Sequence, residues 1–180
     1  MIKGFDENNI GNPIRKHINI SFEKVYESEE MLKKIVEDLS ANFDETKSSV
    51  LIFVPTRKGT EEASRKLNNL FEENNLNKLH NKIDFFHAGL DSSDREEKYI
   101  NFKQGKLLIL VATKAFGMGM DIKNIHFVYH LGPSSTFEDY LQEVGRAGRN
   151  ASMLKEAGFS DENQIKTKCL YTPQDFNYLR

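Results

Sequence analysis

The sequence alternates short apolar runs with longer amphipathic segments, and this alternation restricts the chain to few architectures. Val50–Val54 is fully apolar and is followed by Pro55, which is typical of a buried strand. The next segment, Thr56–Asn74, carries apolar residues at helical spacing. Repetition of strand and helix in this order predicts an α/β fold, a mostly parallel sheet with helices on both faces. Ligands of such sheets bind at the carboxyl ends of the strands.

The remaining elements are predicted from the same periodicities. Strands are expected at Ile18–Phe22 (an edge strand), Ile83–Phe86, Leu107–Ala112, Phe127–Tyr129 and Cys169–Tyr171. A helix is expected at about Ser28–Ser40. Two more are expected to start at capping boxes, one from Ser93/Glu96 through Phe102 and one from Ser135/Glu138 to about Arg146. A last helix is expected from Pro173, with Thr172 as its N-cap. Residues 1–17 are interpreted as a linker. Residues 150–168 are interpreted as a polar insertion without a clear strand, within a domain that spans 18–180.

The composition excludes several classes of protein. A net charge of −2 over 180 residues argues against a protein that coats duplexes with a basic surface. The one cysteine, Cys169, allows neither an intrachain disulfide nor a multi-cysteine zinc site. The N-terminus lacks a signal peptide, and no apolar run is long enough to span a bilayer. We therefore expect a cytoplasmic protein without membrane contacts, nucleoid-associated if bacterial.

Two Gly-Arg pairs end the last predicted long helix, in the string QEVGRAGR that begins at Gln142. Glycine lets a phosphate approach closely, and arginine offers a permanently charged fork that fits phosphate oxygens. The alternative is a helix C-terminus at which glycine caps and arginine complements the dipole. The pairs alone leave these two interpretations open.

The longer context resembles the second motor lobe of superfamily-two helicases, especially the RecQ family. The string ATKAFGMGMD ends at Asp121, a strand ends at His130, and YLQEVGRAGR ends at Arg149, all in the family's order. VLIFVPTR before Lys58, FHAGL around Gly89 and LYTPQDF near the C-terminus match further family segments. The resemblance implies a RecA-like three-layer sandwich. It also implies a lobe of an ATP-dependent DNA helicase whose first lobe is a separate part of the polypeptide.

The resemblance further implies roles for residues at an ATP site. Arg149 would be the arginine finger that reaches the γ-phosphate, Arg146 would contact phosphates or support the finger, and Gln142 would lie near the attacking water. Four further residues would line the nucleotide or the interface between the lobes: Gly119, Asp121, Gly145 and Gly148. ATP and Mg²⁺ would be held mainly by the first lobe. Neither a Gly-x-x-x-x-Gly-Lys-Ser/Thr loop nor an Asp-Glu-x-His segment occurs in this sequence, so the chain alone is expected to be inactive.

Residues at the predicted strand ends are candidates for contacts with a nucleic-acid backbone. Hydroxyls, amides and a few cations there would bind phosphates without reading sequence. The candidates are Thr56, Arg57, His87, Gly89, Thr113 and Lys114. The two threonines also fit helix caps, His87 also fits a hydrogen-bonded strand end, and the lysine also fits a solvated surface.

Three functions stay open. The first is a DNA helicase lobe acting on single-stranded DNA or a duplex junction, the second is an RNA helicase or a translocase that does not unwind, and the third is a non-enzymatic nucleic-acid-binding module. The wording AFGMGMD favours the first over the second, and the paired arginines favour an enzyme over the third.

Overall fold

The computed structural model describes residues 18–44, 48–116, 125–147 and 165–179. Six parallel strands form one sheet in the order β1-β6-β5-β2-β4-β3. β1 lies at one edge, as predicted, although its partner β6 is far away in sequence. The strands are β1 (Ile18–Lys24), β2 (Ser49–Phe53), β3 (Ile83–Phe86), β4 (Ile109–Ala112), β5 (Ile125–Leu131) and β6 (Ile165–Tyr171).

Helices cover both faces of the sheet, which confirms the predicted α/β class. They are α1 (Ser28–Asn42), α2 (Arg57–Glu73), α3 (Ser92–Lys103) and α4 (Phe137–Val144), followed by a 3₁₀ helix (Pro173–Leu179). Alternate residues of β2 enter different cores because side chains alternate along a strand. Val50 and Ile52 pack with α1 and α2, whereas Leu51 and Phe53 pack with α3 and α4.

The strand order brings three strand ends together. β2 lies between β4 and β5 in the sheet, whereas β3, which follows β2 in the sequence, lies at the edge beyond β4. The residues that follow β2, β4 and β5 are therefore neighbours at the carboxyl edge of the sheet. This is the place where the strand order reverses, the usual ligand edge of an open α/β sheet.

Two predicted capping boxes are wrong. α4 is capped by Thr136, whose hydroxyl accepts the amide of Asp139 at 3.0 Å, and not by Ser135. α3 begins after Asp91 and not at Ser93, and the Asp91 side chain makes no capping hydrogen bond. Both pairs of residues have the spacing of a capping box, but each helix begins at a residue other than the one that this spacing predicts. α4 also ends at Val144, two residues before the predicted Arg146.

Part of the predicted insertion is strand. Residues 165–168 belong to β6, which begins four residues before the predicted strand at Cys169, so their assignment to a loop is wrong. Ile165, Thr167 and Cys169 are buried, while Lys166 and Lys168 alternate with them. The linker 1–17 and residues 148–164 lie outside the described residues. None of the described helices has the length and apolar character that a membrane crossing requires.

Candidate functional site

Three of the predicted nucleic-acid-binding residues come together at the ends of β2 and β3. Arg57 is the exposed first residue of α2, and its side chain lies over Gly89. A Cβ built on Gly89 would be 3.0 Å from Nη1 of Arg57 and 3.2 Å from Nδ1 of His87. The absence of a side chain at Gly89 therefore allows this arginine to lie against the turn.

His87 organises the turn from within. Its buried ring stacks on Phe85, its Nδ1 accepts the amide of Gly89 at 3.1 Å, and its Nε2 lies 3.0 Å from Oε1 of Glu61. Since Nδ1 accepts, Nε2 carries the proton that is donated to the carboxylate. The amide of Gly89, one of the candidates for a phosphate contact, is already bonded to His87 and is therefore not free. Of the two interpretations of His87, the structure shows the hydrogen-bonded strand end.

The two threonines occupy different environments. Thr56 is the N-cap of α2, and its hydroxyl oxygen accepts the amide of Gly59 at 3.0 Å. It therefore fills the capping role that the sequence left open, at an exposed position. Thr113 follows β4 and is buried, and its amide donates to the carbonyl of Phe86 at 3.2 Å.

Lys114 faces α4 and not the turn that holds Arg57. Its exposed ammonium lies 3.8 Å from Oδ2 of Asp139, which is in the first turn of α4. It also lines an open pocket of about 100 Å³ at the ends of β2, β4 and β5. The other residues that line this pocket are Phe53, Val54, Pro55, His130, Gly132, Pro133, Ser134, Ser135 and Glu143.

The structure places Gln142, Gly145 and Arg146 together at the end of α4. Gln142 is exposed and Arg146 is half-buried. Gly145 is the C-cap, and its amide donates to the carbonyl of Leu141 at 2.8 Å. A Cβ at Gly145 would lie only 3.0 Å from that same carbonyl oxygen, so the turn that presents Arg146 fits glycine closely.

The sequence did not single out the carboxylate between these residues. Glu143 is buried, and its Oε2 accepts from Nε2 of His130 at 3.0 Å and from Oγ of Ser134 at 2.6 Å. Burial alone would raise the pKa of the Glu143 carboxyl, but the hydrogen bonds from His130 and Ser134 are the main interactions that hold that pKa below its usual range. The only indication of this carboxylate in the sequence was a glutamate next to Gln142 in a short predicted helix.

Four predicted site residues lie outside the described residues: Gly119, Asp121, Gly148 and Arg149. Their roles stay predictions. Within the described ranges, no group of three or more His, Cys, Asp or Glu side chains is arranged to hold a metal ion.

The family follows from a comparison with known domains. Residues 28–151 match the model of the helicase conserved C-terminal domain, and this range includes all the candidate residues above. The chain belongs to this helicase family.

Curated relatives are RecQ-type and other DNA helicases. The chain is 33% identical over 136 residues to the bifunctional 3'-5' exonuclease/ATP-dependent helicase WRN of Mus musculus, which covers 76% of this chain and 8% of that protein. It is 36% identical over 94 residues to the ATP-dependent DNA helicase RecQ of Pasteurella multocida, which covers 52% of this chain and 13% of that protein. The chain thus spans a small fraction of the length of the relatives it matches.

A solved structure supports the fold. A DEAD box protein from Methanococcus jannaschii superposes with a TM-score of 0.65 over 91% of this chain and 38% of its own, at 23% identity. The predicted resemblance to the second RecA-like lobe of a RecQ-type helicase is confirmed by the family match, the relatives and this fold.

Proposed function

We propose that this chain is the second motor lobe of an ATP-dependent DNA helicase. The observation that carries the proposal is the shared edge at which the end of α4 and the ends of β2, β3 and β4 bring together two sets of candidate phosphate-binding residues. One set, which we call the phosphate-facing end of α4, consists of Gln142, Gly145 and Arg146, and Arg149 would join it from three residues further along the sequence. The other, which we call the strand-end track, consists of Thr56, Arg57, His87, Gly89, Thr113 and Lys114.

The phosphate-facing end of α4 would act on ATP held by a first lobe. Guanidinium groups there stabilise the charge that develops on the transferred phosphoryl group, a contribution of about 10³–10⁵ in rate in related chemistry. Arg149 would be the finger, Arg146 its neighbour at the phosphates, and Gln142 the group that orients water. Gly119, Asp121 and Gly148 would complete this surface. Mg²⁺ would neutralise phosphate charge and would be held by the first lobe.

The strand-end track would bind a nucleic-acid backbone, single-stranded DNA or the strand at a duplex junction. Arg57 supplies an exposed cation over Gly89, in the turn that the hydrogen bond of His87 holds. Lys114 supplies another, although Asp139 at 3.8 Å competes for its charge. Few cations at one edge are consistent with a net charge of −2, because only a local contact is needed. DNA is the preferred substrate because the curated relatives are named DNA helicases.

The test is ATP hydrolysis by the full-length protein without nucleic acid, with single-stranded DNA, and with single-stranded RNA. We expect stimulation mainly by DNA. Stimulation mainly by RNA would be consistent with the assignment of a motor lobe but would contradict the assignment of DNA as the substrate. Absence of stimulation by either would reject a nucleic-acid motor.

A pair of arginine variants tests whether Arg149 acts in ATP hydrolysis and not in DNA binding. Arg149→Ala should lower the DNA-stimulated kcat by about 10³ or more while DNA affinity changes little. Arg65→Ala, an exposed arginine on α2, is the control and should leave kcat unchanged. Equal activity of the two variants would rule out the finger role of Arg149.

A further inference from the structure

The helix α2 reaches the turn after β3 with two side chains. Arg57, its first residue, lies over Gly89, where a Cβ would be 3.0 Å from Nη1 of the arginine. Glu61 follows four residues later on α2, and its Oε1 lies 3.0 Å from Nε2 of His87. Residues four apart lie on the same face of a helix, so both side chains reach one turn. The helix that carries the exposed arginine therefore also carries a carboxylate that is bonded to this turn.

The two partners of this hydrogen bond depend on it to different degrees. The side chain of His87 is 7% exposed, whereas that of Glu61 is 53% exposed. Water can satisfy an exposed carboxylate, so Glu61 does not need the histidine. A buried ring N–H, in contrast, has to find an acceptor within the protein. The contact therefore matters mainly for the state of His87.

The carboxylate determines which ring nitrogen of His87 carries the proton. In a neutral imidazole one nitrogen donates and the other accepts. Because the carboxylate of Glu61 only accepts, the proton lies on Nε2, and Nδ1 is left to accept the amide of Gly89 at 3.1 Å. A proton on Nδ1 would face that amide, and the hydrogen bond would be lost. The turn would then be closed only by the amide of Leu90, which donates to the carbonyl of His87 at 3.2 Å.

We propose that Glu61 is a positioning residue of the strand-end track. By accepting from Nε2 of His87, it keeps the turn at Gly89 in the shape over which Arg57 lies. This inference rests on the proposed function, since it assigns the geometry of a contact with a nucleic-acid backbone.

The charge of Glu61 predicts the opposite effect from its position. A carboxylate on the same helix face as Arg57 repels a phosphate, so charge alone predicts tighter DNA binding when Glu61 is replaced. A positioning role predicts weaker binding, because the turn loses the hydrogen bond between His87 and Gly89. The sign of the change in affinity therefore distinguishes the two roles.

The experiment compares two replacements of Glu61 in the full-length protein. Glu61→Gln removes the charge but keeps an oxygen that accepts from His87, whereas Glu61→Ala removes both. We expect Glu61→Ala to lower the affinity for single-stranded DNA by roughly three- to tenfold, the loss of about one phosphate contact. Glu61→Gln should bind as tightly as wild type or up to about threefold more tightly, since a repulsive charge is gone. Glu73→Ala, an exposed glutamate at the end of α2, is the matched control and should stay within about twofold of wild type.

The tautomer of His87 is a second readout, which a general loss of stability would not change. The ¹⁵N signals of an imidazole distinguish a protonated from an unprotonated nitrogen, and His87→Asn identifies the signals of this ring among the five histidines. The spectra are recorded on the 180-residue chain at mildly alkaline pH, where histidines are generally neutral. We expect the proton on Nε2 in wild type and in Glu61→Gln, and a mixture of both tautomers in Glu61→Ala.

Several results would overturn the inference. They are unchanged or tighter DNA binding by Glu61→Ala, an equal loss of affinity in Glu61→Gln, and a proton on Nδ1 in wild type. Weaker binding by Glu61→Ala with the tautomer of wild type would also contradict it. A wild-type protein that does not bind DNA would instead reject the proposed function, and the inference with it.

Discussion

At the scale of single residues, the position of Arg57 depends on the absence of a side chain at Gly89. The closest atoms to a Cβ at Gly89 would be Nη1 of Arg57 at 3.0 Å, Nδ1 of His87 at 3.2 Å and Cδ of Arg57 at 3.3 Å. His87 is buried and bonded on both ring nitrogens, so it cannot give way. Arg57 is exposed and flexible, so a new methyl group would displace the arginine and not the turn.

Gly89→Ala should therefore weaken DNA binding without unfolding the protein. We expect affinity for single-stranded DNA to fall by roughly three- to tenfold, the loss of about one phosphate contact, with little change in Tm. Fluorescence anisotropy with a labelled oligonucleotide measures the affinity. Arg57→Ala should give a similar loss, and the double variant should lose no more than either alone.

Arg65→Ala again serves as the control, since it removes an exposed arginine from the same helix as Arg57. A Gly89→Ala variant that unfolds would show that the new methyl group disrupts the turn and not the arginine, and a variant that binds DNA as well as wild type would show that Arg57 does not depend on this glycine.

The sequence was more informative about which residues cluster than about how they are bonded. Residue types and strand ends predicted that Arg57, His87 and Gly89 would lie at the carboxyl edge of the sheet. They did not predict that Nδ1 of His87 would take the amide of Gly89, because that bond depends on the ring orientation set by Glu61 and Phe85. The hydrogen bonds of Glu143 escaped prediction for the same reason, since His130 and Glu143 are thirteen residues apart.

At the scale of elements, one buried contact joins α1 to two strands. Asp38 of α1 accepts a hydrogen bond from the hydroxyl of Tyr129 at 2.9 Å and lies 3.3 Å from Nζ of Lys168. Burial, together with the charge and the hydrogen bond of Asp38, raises the pKa of Tyr129 far above its usual range, so the hydroxyl is always a donor. The helix is therefore held to both β5 and β6 by one carboxylate.

Removing the acceptor should destabilise the chain more than removing the donor. Asp38→Ala leaves a buried hydroxyl without its partner, which costs about 2–3 kcal/mol of unfolding free energy. Tyr129→Phe leaves Asp38 with Lys168 and should cost only about 1 kcal/mol. Denaturant unfolding of the 180-residue chain measures both values. Glu37→Ala, at an exposed neighbouring position, should change the free energy by less than about 0.5 kcal/mol, and the reverse order of the first two variants would contradict this account.

The same carboxylate helps to explain why β6 was only partly predicted. Parallel strands are usually continuous apolar runs, and Cys169–Tyr171 came closest to that pattern. Lys166 and Lys168 interrupt it, yet both lie in the strand, and Lys168 is neutralised by Glu23 and Asp38. Because β1 continues the sheet beyond it, β6 pairs on both sides despite the lysines. Long-range ion pairs of this kind cannot be found from local periodicity.

At the scale of the whole molecule, the strand order determines which edge of the sheet carries the residues of the proposed functions. The alternation of elements predicted a parallel sheet, but not that β5 would lie beside β2, since that choice depends on pairing between distant segments. This pairing brings the loop after β5, which starts at Gly132 with a φ of +91° that favours glycine, next to Pro55 and Lys114. The track and the end of α4 thus share an edge that a first lobe would face.

A lobe of this kind should have no ATPase activity by itself. The sequence offers arginines that would act on a phosphate, but it contains no Gly-x-x-x-x-Gly-Lys-Ser/Thr loop whose amides would hold that phosphate. An arginine stabilises a transition state only where the reacting group is already bound and oriented. We therefore expect the purified 180-residue chain, assayed for phosphate release with Mg²⁺, ATP and single-stranded DNA, to match a mock preparation. The same assay on the full-length protein should show turnover that Arg149→Ala abolishes, because this arginine would act on ATP that a first lobe binds. Steady turnover by the chain above the mock level, still present in its own Arg149→Ala variant, would mean that the chain binds and hydrolyses ATP by a route other than the one proposed.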